Sequence, residues 1–181
     1  PKDPFWVRFV SDDRLLDVAE SLVGPNIAFF AADYICKRPR EGGSLSWHQD
    51  AYYWALDPME VITVWFAVSE SNRENGGVQV VPGSHRIGPQ SPGAEGIVVH
   101  GINSEVTEDL FDVGDPVYLE LNPGDISVHH PYTLHGSAPN TSDHWRRGGS
   151  IQYMPTTTRI TKEWPSAFLF RGEAAEGVNN D

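Results

Sequence analysis

Apolar and polar residues follow a helical period in one convincing stretch, near the N-terminus. Within residues 11–24, apolar side chains recur at the three- and four-residue spacing of one helix face. These apolar residues are Leu15, Val18, Ala19 and Leu22. Ser11 can cap such a helix, and Gly24 can end it. The pattern predicts one N-terminal helix.

Beyond Gly24 the chain changes to short stretches rich in Val, Ile, Tyr, Phe and Trp, which are typical of β-strands separated by turns. The predicted strands cover residues 27–37, 60–68, 77–82, 116–121, 125–130 and 148–154. Pro-Gly pairs at 82–83 and 123–124 favour type II turns, and Asn75-Gly76-Gly77 favours a hairpin. The body of the protein is therefore predicted to be mainly β.

Residues 61–66 are apolar on both faces except at Thr63, as expected of a central strand that is covered on each side in a sandwich or barrel. Threonine also favours strands in general, so Thr63 fits a purely structural role. From Arg86 to Gly114 the periodicity gives way to Gly, Pro and polar residues. So long an irregular segment predicts a lid over a binding site.

Length and composition predict a single domain over residues 1–181. The chain begins at Pro1 rather than methionine, so we expect the complete protein to include further terminal or loop residues. Thirteen basic residues against twenty-five acidic ones give a net charge of -12, which would repel nucleic acid and an anionic membrane.

A single cysteine, Cys36, excludes an internal disulfide, and neither a secretory leader nor a run of eighteen apolar residues is present. These features predict a cytoplasmic protein. We separately expect a small-molecule substrate and a monomer or homodimer.

The first candidate for chemistry is the stretch "SWHQDAYYW", residues 46–54. If it is a strand, His48 and Asp50 point to one face while Gln49 points away. Two such ligands and one more histidine form the facial triad of non-heme Fe(II) oxygenases. A His-x-Asp pair alone is a weak signal, because short polar pairs occur by chance.

A third ligand is sought among the remaining histidines, of which three lie within residues 124–140. His129 and His130 are adjacent and cannot share a strand face, so one of them is expected to serve packing or to support the ligands. His135 precedes Gly136 and Ser137, whose small side chains let a ligand approach closely. His135 is the predicted third ligand.

Eleven residues after His135, Arg146 could grip a carboxylate through two charge-assisted hydrogen bonds, which suits a dicarboxylate cosubstrate. Arg147 is the alternative, because neighbouring residues on a strand face opposite ways.

Together these residues resemble the phytanoyl-CoA dioxygenase family of Fe(II)/2-oxoglutarate oxygenases. The resemblance spans roughly residues 28–155 and rests on "WHQD", on "NGGVQVVPGSH", on "HGS" at 135–137 and on the arginine eleven residues after His135. It implies a double-stranded β-helix, a jelly-roll or cupin-like barrel, with a flanking N-terminal helix.

The resemblance also implies the cofactors Fe(II), 2-oxoglutarate and O2. His48, Asp50 and His135 would bind iron, and Arg146 would bind the distal carboxylate of 2-oxoglutarate, with Thr63 and Trp65 beside it. The implied reaction is hydroxylation of an unactivated C–H, with succinate and CO2 as coproducts. Related halogenases carry a small residue in place of Asp50, so its presence favours hydroxylation.

Three further residues are candidates for the substrate pocket. Tyr52 and Trp54 share the face of His48 if the strand persists, although they could equally pack the core. His85 could line the pocket mouth or be a structural histidine. The basic residues Lys37 and Arg38, with Arg40, form a cluster that could attract an anionic substrate or simply be solvated.

Two other functions remain open at this point. One is an oxygenase of the same fold that desaturates, rearranges or closes rings in natural-product synthesis. The other is a non-catalytic, cupin-like binding module, which would not need His48, Asp50, His135 and Arg146 together.

Overall fold

The structure is a computed structural model that describes residues 3–89, 98–100, 103–105, 115–163 and 167–179. Its two α-helices are α1 (Pro4–Val10) and α2 (Asp13–Val23). Its strands are β1 (Ile27–Lys37), β2 (Leu45–His48), β3 (Leu56–Asp57), β4 (Ile62–Ala67), β5 (Val78–Val80), β6 (Val98–His100), β7 (Asn103–Glu105), β8 (Val117–Tyr118), β9 (Ile126–His129), β10 (His135–Ser137), β11 (Arg146–Pro155), β12 (Arg159–Ile160) and β13 (Phe168–Arg171). The prediction of a mainly β protein is confirmed.

The N-terminal region contains a helix that the periodicity did not predict. Helix α1 begins with Pro4, and the side chain of Asp3 accepts a hydrogen bond from the Phe5 N–H. The prediction that Ser11 caps the following helix is wrong, because Ser11 closes α1 by donating from its N–H to the Val7 carbonyl. Asp12 caps α2 instead, accepting from the Arg14 N–H at 3.0 Å.

Each predicted strand has a counterpart in the structure. β1 covers the predicted residues 27–37, whereas β5 and β8 are shorter than predicted. The predicted turn residues Gly76, Gly83 and Gly124 all have positive φ angles, between 77° and 94°, which favour glycine. Turn residues and stretches rich in β-branched and aromatic residues therefore located most of the β-structure.

The chain divides into two compact units. Unit 1 comprises residues 1–33, 55–64 and 151–181, and unit 2 comprises residues 34–54 and 65–150. The expectation of one oxygenase domain over residues 1–181 stays a prediction.

Unit 1 contains both helices and pairs the start of β1 with β13, with Ile27 opposite Arg171. The Arg171 guanidinium lies 2.7 Å from the Asp17 carboxylate and 2.8 Å from that of Glu20, so it ties α2 to β13. The buried Tyr153 hydroxyl donates to the Val10 carbonyl at the end of α1. Unit 1 thus combines a buried tyrosine hydrogen bond with ion pairs between Arg171 and the acidic residues of α2.

Unit 2 contains a four-stranded antiparallel sheet in the order β2-β10-β5-β8. A second sheet of the protein has the order β13-β1-β11-β4-β9. The neighbours β2 and β10 are distant in sequence, and their pairing brings the predicted ligands of unit 2 together.

The predicted lid, residues 86–114, lies largely outside the described residues. Residues 86–89 and the hairpin of β6 and β7 are the described parts of that segment. Within the described residues, no helix has the length and apolar character needed to cross a membrane.

Candidate metal centre

The antiparallel pairing of β2 with β10 places His48 directly opposite His135. Their ring centroids are 4.2 Å apart, and both residues are 7% exposed. Directly opposed side chains on paired strands are close neighbours, so two histidines separated by 87 positions in sequence meet at one point.

Hydrogen bonds to the backbone fix the tautomer of both rings. His48 Nδ1 lies 2.7 Å from the Ser46 carbonyl oxygen, and His135 Nδ1 lies 2.9 Å from that of Thr133. A carbonyl oxygen can only accept, so each Nδ1 carries the proton and each Nε2 offers a lone pair. This arrangement is typical of metal-binding histidines.

The third predicted ligand, Asp50, lies between the two free nitrogens. Its Oδ1 is 3.7 Å from His48 Nε2 and 3.5 Å from His135 Nε2. One ligand atom from each of the three residues lies within 4.8 Å of the others. Ligand atoms about 2.1 Å from an octahedral metal and about 90° apart are roughly 3 Å from one another, so the two distances to Asp50 are about 0.5–0.7 Å longer than in a metal-bound site.

The electrostatics of the cluster favour a charged carboxylate. Burial by itself would raise the pKa of Asp50, but His135, together with His129 and His48, outweighs burial and holds that pKa well below its usual value. The cluster therefore places an anionic oxygen beside two imidazole rings, and carboxylate and imidazole together are the donor set of non-heme Fe(II) sites.

The adjacent histidines at the end of β9 have different environments. The His129 side chain is 7% exposed, and its Nε2 lies 3.5 Å from Asp50 Oδ2. His130 is exposed, and its Nδ1 accepts a hydrogen bond from the Tyr132 N–H. Only His129 of this pair therefore lies against the cluster.

The assumption that a strand continues through residues 46–54 is wrong. β2 ends at His48, and residues Asp50–Tyr52 form a 3-10 helix in which the Tyr53 N–H donates to the Asp50 carbonyl. Tyr52 is consequently 46% exposed, whereas the Tyr53 ring lies 6.0 Å from that of His48. Asp50 therefore meets His48 through a turn and not through strand alternation.

The roles of Trp54 and His85 in a substrate pocket stay predictions. Trp54 is half-buried after the 3-10 helix, so its alignment with His48 on a strand face no longer supports a pocket role. His85 lies on a second 3-10 helix, Ser84–Ile87, with its ring 5.7 Å from that of His130.

Gln49 is a supporting residue that the sequence reasoning dismissed as pointing away. It is 3% exposed, and its side-chain amide donates to the carbonyls of Gly88 and Tyr132. The neighbouring Ala51 N–H donates to the Pro131 carbonyl at 3.1 Å. These bonds fix the turn that carries Asp50 against the segment after β9.

Of the two neighbouring arginines, Arg146 is the buried one. It is 1% exposed, its guanidinium carbon lies 4.9 Å from the Trp65 ring centroid, and burial lowers its pKa to about 10. Arg147 is exposed. The Nε and Nη1 atoms of Arg146 have no hydrogen-bond partner among the described residues. A buried cation with unused donors is suited to an anionic ligand.

Ser137 and Trp65 are among the neutral donors of unit 2 that are unpaired in the same way. The Ser137 hydroxyl, two residues after His135, and the Trp65 indole nitrogen are buried without a hydrogen-bond partner among the described residues. Ser137 was noted in the sequence only for its small size. Thr63, predicted beside the cosubstrate, is 2% exposed and belongs to unit 1.

Lys37 does not belong to a surface cluster, contrary to the sequence interpretation. It is 5% exposed, and its ammonium group donates to the carbonyls of Ser137 and Ala138. Burial, with a smaller contribution from the positive charge of Arg146, lowers the pKa of Lys37 to about 7. Neither cation forms an ion pair with a carboxylate of a described residue, so unit 2 holds two buried basic groups.

The lowered pKa of Lys37 predicts that stability rises with pH. The unfolded chain keeps Lys37 protonated up to about pH 10.5, whereas the folded protein releases this proton near pH 7. Between these values the unfolded state binds more protons, so the free energy of unfolding should increase with pH, by up to about 1.4 kcal/mol per unit. Below pH 7 this contribution is constant.

Urea unfolding of the wild type and of Lys37→Met between pH 6.5 and 9.5 measures this effect. We expect the wild type to gain stability relative to Lys37→Met across that range. The exposed neighbour Arg38 supplies a control, since Arg38→Met should run parallel to the wild type. Parallel curves for all three proteins would contradict the lowered pKa.

Fold and site together define the class of this protein. A mainly β chain that brings two histidines and an aspartate to one point, with a buried arginine in the same unit, has the features of cupin-like proteins with a 2-His-1-carboxylate metal site.

Comparison with known proteins identifies the family. Residues 1–148 match the family model "Phytanoyl-CoA dioxygenase (PhyH)", so the chain belongs to the phytanoyl-CoA dioxygenase family. The resemblance seen in the sequence is confirmed.

Individual relatives support the same placement. The chain is 31% identical over 163 residues to peroxisomal phytanoyl-CoA dioxygenase of Bos taurus, covering 84% of this chain and 47% of that one. It is 27% identical over 146 residues to a probable alpha-ketoglutarate-dependent hypophosphite dioxygenase of Stutzerimonas stutzeri, covering 80% and 51%. The chain thus spans about half the length of these curated relatives.

A solved structure confirms the fold. The apo form of the non-heme monooxygenase ThoJ superimposes with a TM-score of 0.79 and 30% identity, covering 92% of this chain and 61% of that one. The cupin-like fold implied by the sequence is therefore confirmed.

Proposed function

We propose that the protein is an Fe(II)/2-oxoglutarate-dependent dioxygenase that hydroxylates an unactivated C–H of a small organic molecule. The observation that carries the proposal is the convergence of His48 Nε2, His135 Nε2 and Asp50 Oδ1 within one buried cluster. Family membership and the likeness to a non-heme monooxygenase support it.

The residues present fit the metal and the cosubstrate. His48, Asp50 and His135 would hold Fe(II) on one side, because three ligands leave the remaining positions of an octahedron open. Bound iron and 2-oxoglutarate supply the oxidising chemistry, in which O2 converts 2-oxoglutarate to succinate and CO2 and one oxygen atom enters the substrate C–H. The protein supplies binding, orientation and exclusion of water.

The buried donors of unit 2 would bind and orient the cosubstrate. Arg146 has two unused N–H groups with which to hold the distal carboxylate, and its burial strengthens that attraction. Trp65 lies against the guanidinium and restricts where it can point. Ser137 and Trp65 could each donate one further hydrogen bond to the bound diacid. The placement of Thr63 beside the cosubstrate stays a prediction.

Asp50 bears on the outcome of the reaction. A carboxylate occupies the ligand position that related halogenases leave open for chloride, which favours hydroxylation. Desaturation, rearrangement or ring formation would use the same triad, because the result then depends on where the substrate lies.

Turnover of 2-oxoglutarate tests the proposed activity directly. With Fe(II) and O2, we expect the protein to release succinate, slowly without substrate and faster when a screened small molecule is accepted. Anaerobic 2-oxoglutarate should also raise the melting temperature when a divalent metal is present. A protein with no succinate release and no thermal response to 2-oxoglutarate would instead be a binding module of the same fold.

A further inference from the structure

A third imidazole, that of His129, lies beside the metal cluster and is not accounted for by the ligand triad. Its side chain is 7% exposed, its Nε2 lies 3.5 Å from Asp50 Oδ2, and its ring centroid lies 4.6 Å from that of His135. Neither ring nitrogen forms a well-aligned hydrogen bond with any described residue. A buried polar group without such bonds is costly, so its presence calls for a role.

The two oxygens of Asp50 face different partners. Oδ1 lies toward His48 and His135, whereas Oδ2 lies toward His129. The cluster in which ligand atoms all lie within 4.8 Å of one another comprises His48, Asp50 and His135. His129 is thus placed beside the ligand carboxylate and not within the ligand set.

The surrounding backbone holds this arrangement in place. Gln49 donates to the Tyr132 carbonyl and the Ala51 N–H donates to that of Pro131, so hydrogen bonds on both sides of Asp50 reach the residues that follow His129. Asp50 and His129 are therefore kept at a set separation before any metal binds, which is the condition for an effective supporting hydrogen bond.

A donor at Oδ2 has a defined consequence for the metal. A carboxylate can bind a metal through one oxygen or through both, and a hydrogen bond to the second oxygen competes with two-oxygen binding for the electron density of that oxygen. One-oxygen binding keeps three positions open at an octahedral ion, whereas two-oxygen binding would fill one of them.

We propose that His129 is a positioning residue, which donates a hydrogen bond from Nε2 to Asp50 Oδ2 and so keeps Asp50 a one-oxygen ligand. The inference rests on the proposed metal triad and adds a fourth residue to it. It concerns the geometry of the ligand carboxylate and the number of positions left for cosubstrate and O2.

Two variants separate hydrogen bonding from packing. His129→Phe keeps a ring of similar size but has no donor, whereas His129→Gln keeps an N–H at similar reach. Each is titrated with Co(II), whose visible absorption bands change with coordination number. The melting temperature of each metal-free protein is measured alongside.

We expect His129→Phe to bind Co(II) about 10-fold or more weakly than the wild type, with an altered absorption spectrum. His129→Gln should retain the wild-type spectrum and bind within about 3-fold of wild-type affinity. Wild-type affinity and spectrum in His129→Phe would overturn the proposal. The proposal would also be overturned if both variants lost Co(II) affinity equally and their metal-free melting temperatures fell equally, because that result would indicate packing alone.

Failure of the triad itself would look different. In that case the wild type would bind no Co(II), or His48→Ala would bind it as tightly as the wild type, and the role of His129 would fall with the triad. If the wild type binds Co(II) and His48→Ala does not, the triad stands and the His129 variants decide the inference alone.

Discussion

Replacement of His135 by alanine is expected to abolish binding of a divalent metal while the protein still folds. His135 supplies one of two imidazole nitrogens to the cluster, and its loss leaves one imidazole and one carboxylate. Loss of a direct ligand should cost more than loss of a supporting residue, so we expect affinity to fall by at least about 100-fold.

Thermal unfolding with and without metal measures this effect. At a metal concentration of about 100 times its Kd, the wild type should gain about 2.7 kcal/mol, or roughly 5–10 °C for a protein of this size. His135→Ala should show no such shift at the same concentration, although its circular dichroism spectrum is retained.

A matched histidine variant makes the result specific. His144 is exposed, so His144→Ala should respond to metal as the wild type does. Retention of the metal-induced shift in His135→Ala, or its loss in His144→Ala, would contradict the proposed ligand set.

Replacement of Arg146 by methionine is expected to weaken 2-oxoglutarate binding severely without affecting the metal. Removing one partner of a buried, hydrogen-bonded charge pair costs about 2–5 kcal/mol, which corresponds to at least roughly 30-fold in affinity. Arg146→Lys keeps the charge but loses the two-pronged geometry, so it should recover only part of the loss.

The neighbouring arginine provides the control within the same strand. Arg147 is exposed, and Arg147→Met should bind 2-oxoglutarate within about 3-fold of the wild type. Isothermal titration of each Co(II)-loaded protein with 2-oxoglutarate measures the dissociation constants to be compared. If Arg147→Met has the larger effect, the cosubstrate lies on the opposite face of β11 from the one proposed.

The family and the fold of this protein have different support from the identity of its substrate. Family membership and fold follow from the comparisons, whereas the identity of the substrate depends on surfaces that the family varies. The relatives named above include a phytanoyl-CoA dioxygenase and a probable hypophosphite dioxygenase, whose substrates share little chemistry. A broad substrate screen is therefore more informative than a choice based on one relative.

Much of the strand structure was predictable because it depends on local chemistry. Turn residues and stretches rich in β-branched and aromatic residues located β1, β4 and β11, since both signals are local in the sequence. Helix α1 was not predicted, because its seven residues are too few to establish a helical period, although Asp3 and Pro4 are a recognisable start signal.

Part of the candidate metal site was also predictable from features that are local in the sequence. His48 and Asp50 are neighbours in sequence, and the tight turn after β2 brings their ligand atoms together even though the strand predicted there ends. His135 and Arg146 were distinguished by flanking small residues and by spacing. The burial of Arg146 favours it over the exposed Arg147, and the choice between them stays a prediction.

The sequence by itself indicated the types of ligand and most of the longer strands, but not β2, β10 or the 3-10 turn on which the predicted ligands lie. The tertiary structure alone decided that Lys37 is buried beneath Ser137, that Gln49 ties the Asp50 turn to Tyr132, and that His129 faces the ligand carboxylate. Each of these contacts joins segments about 80 to 100 positions apart. Periodicity reports which face of an element is covered, but it carries no information about which distant segment covers it.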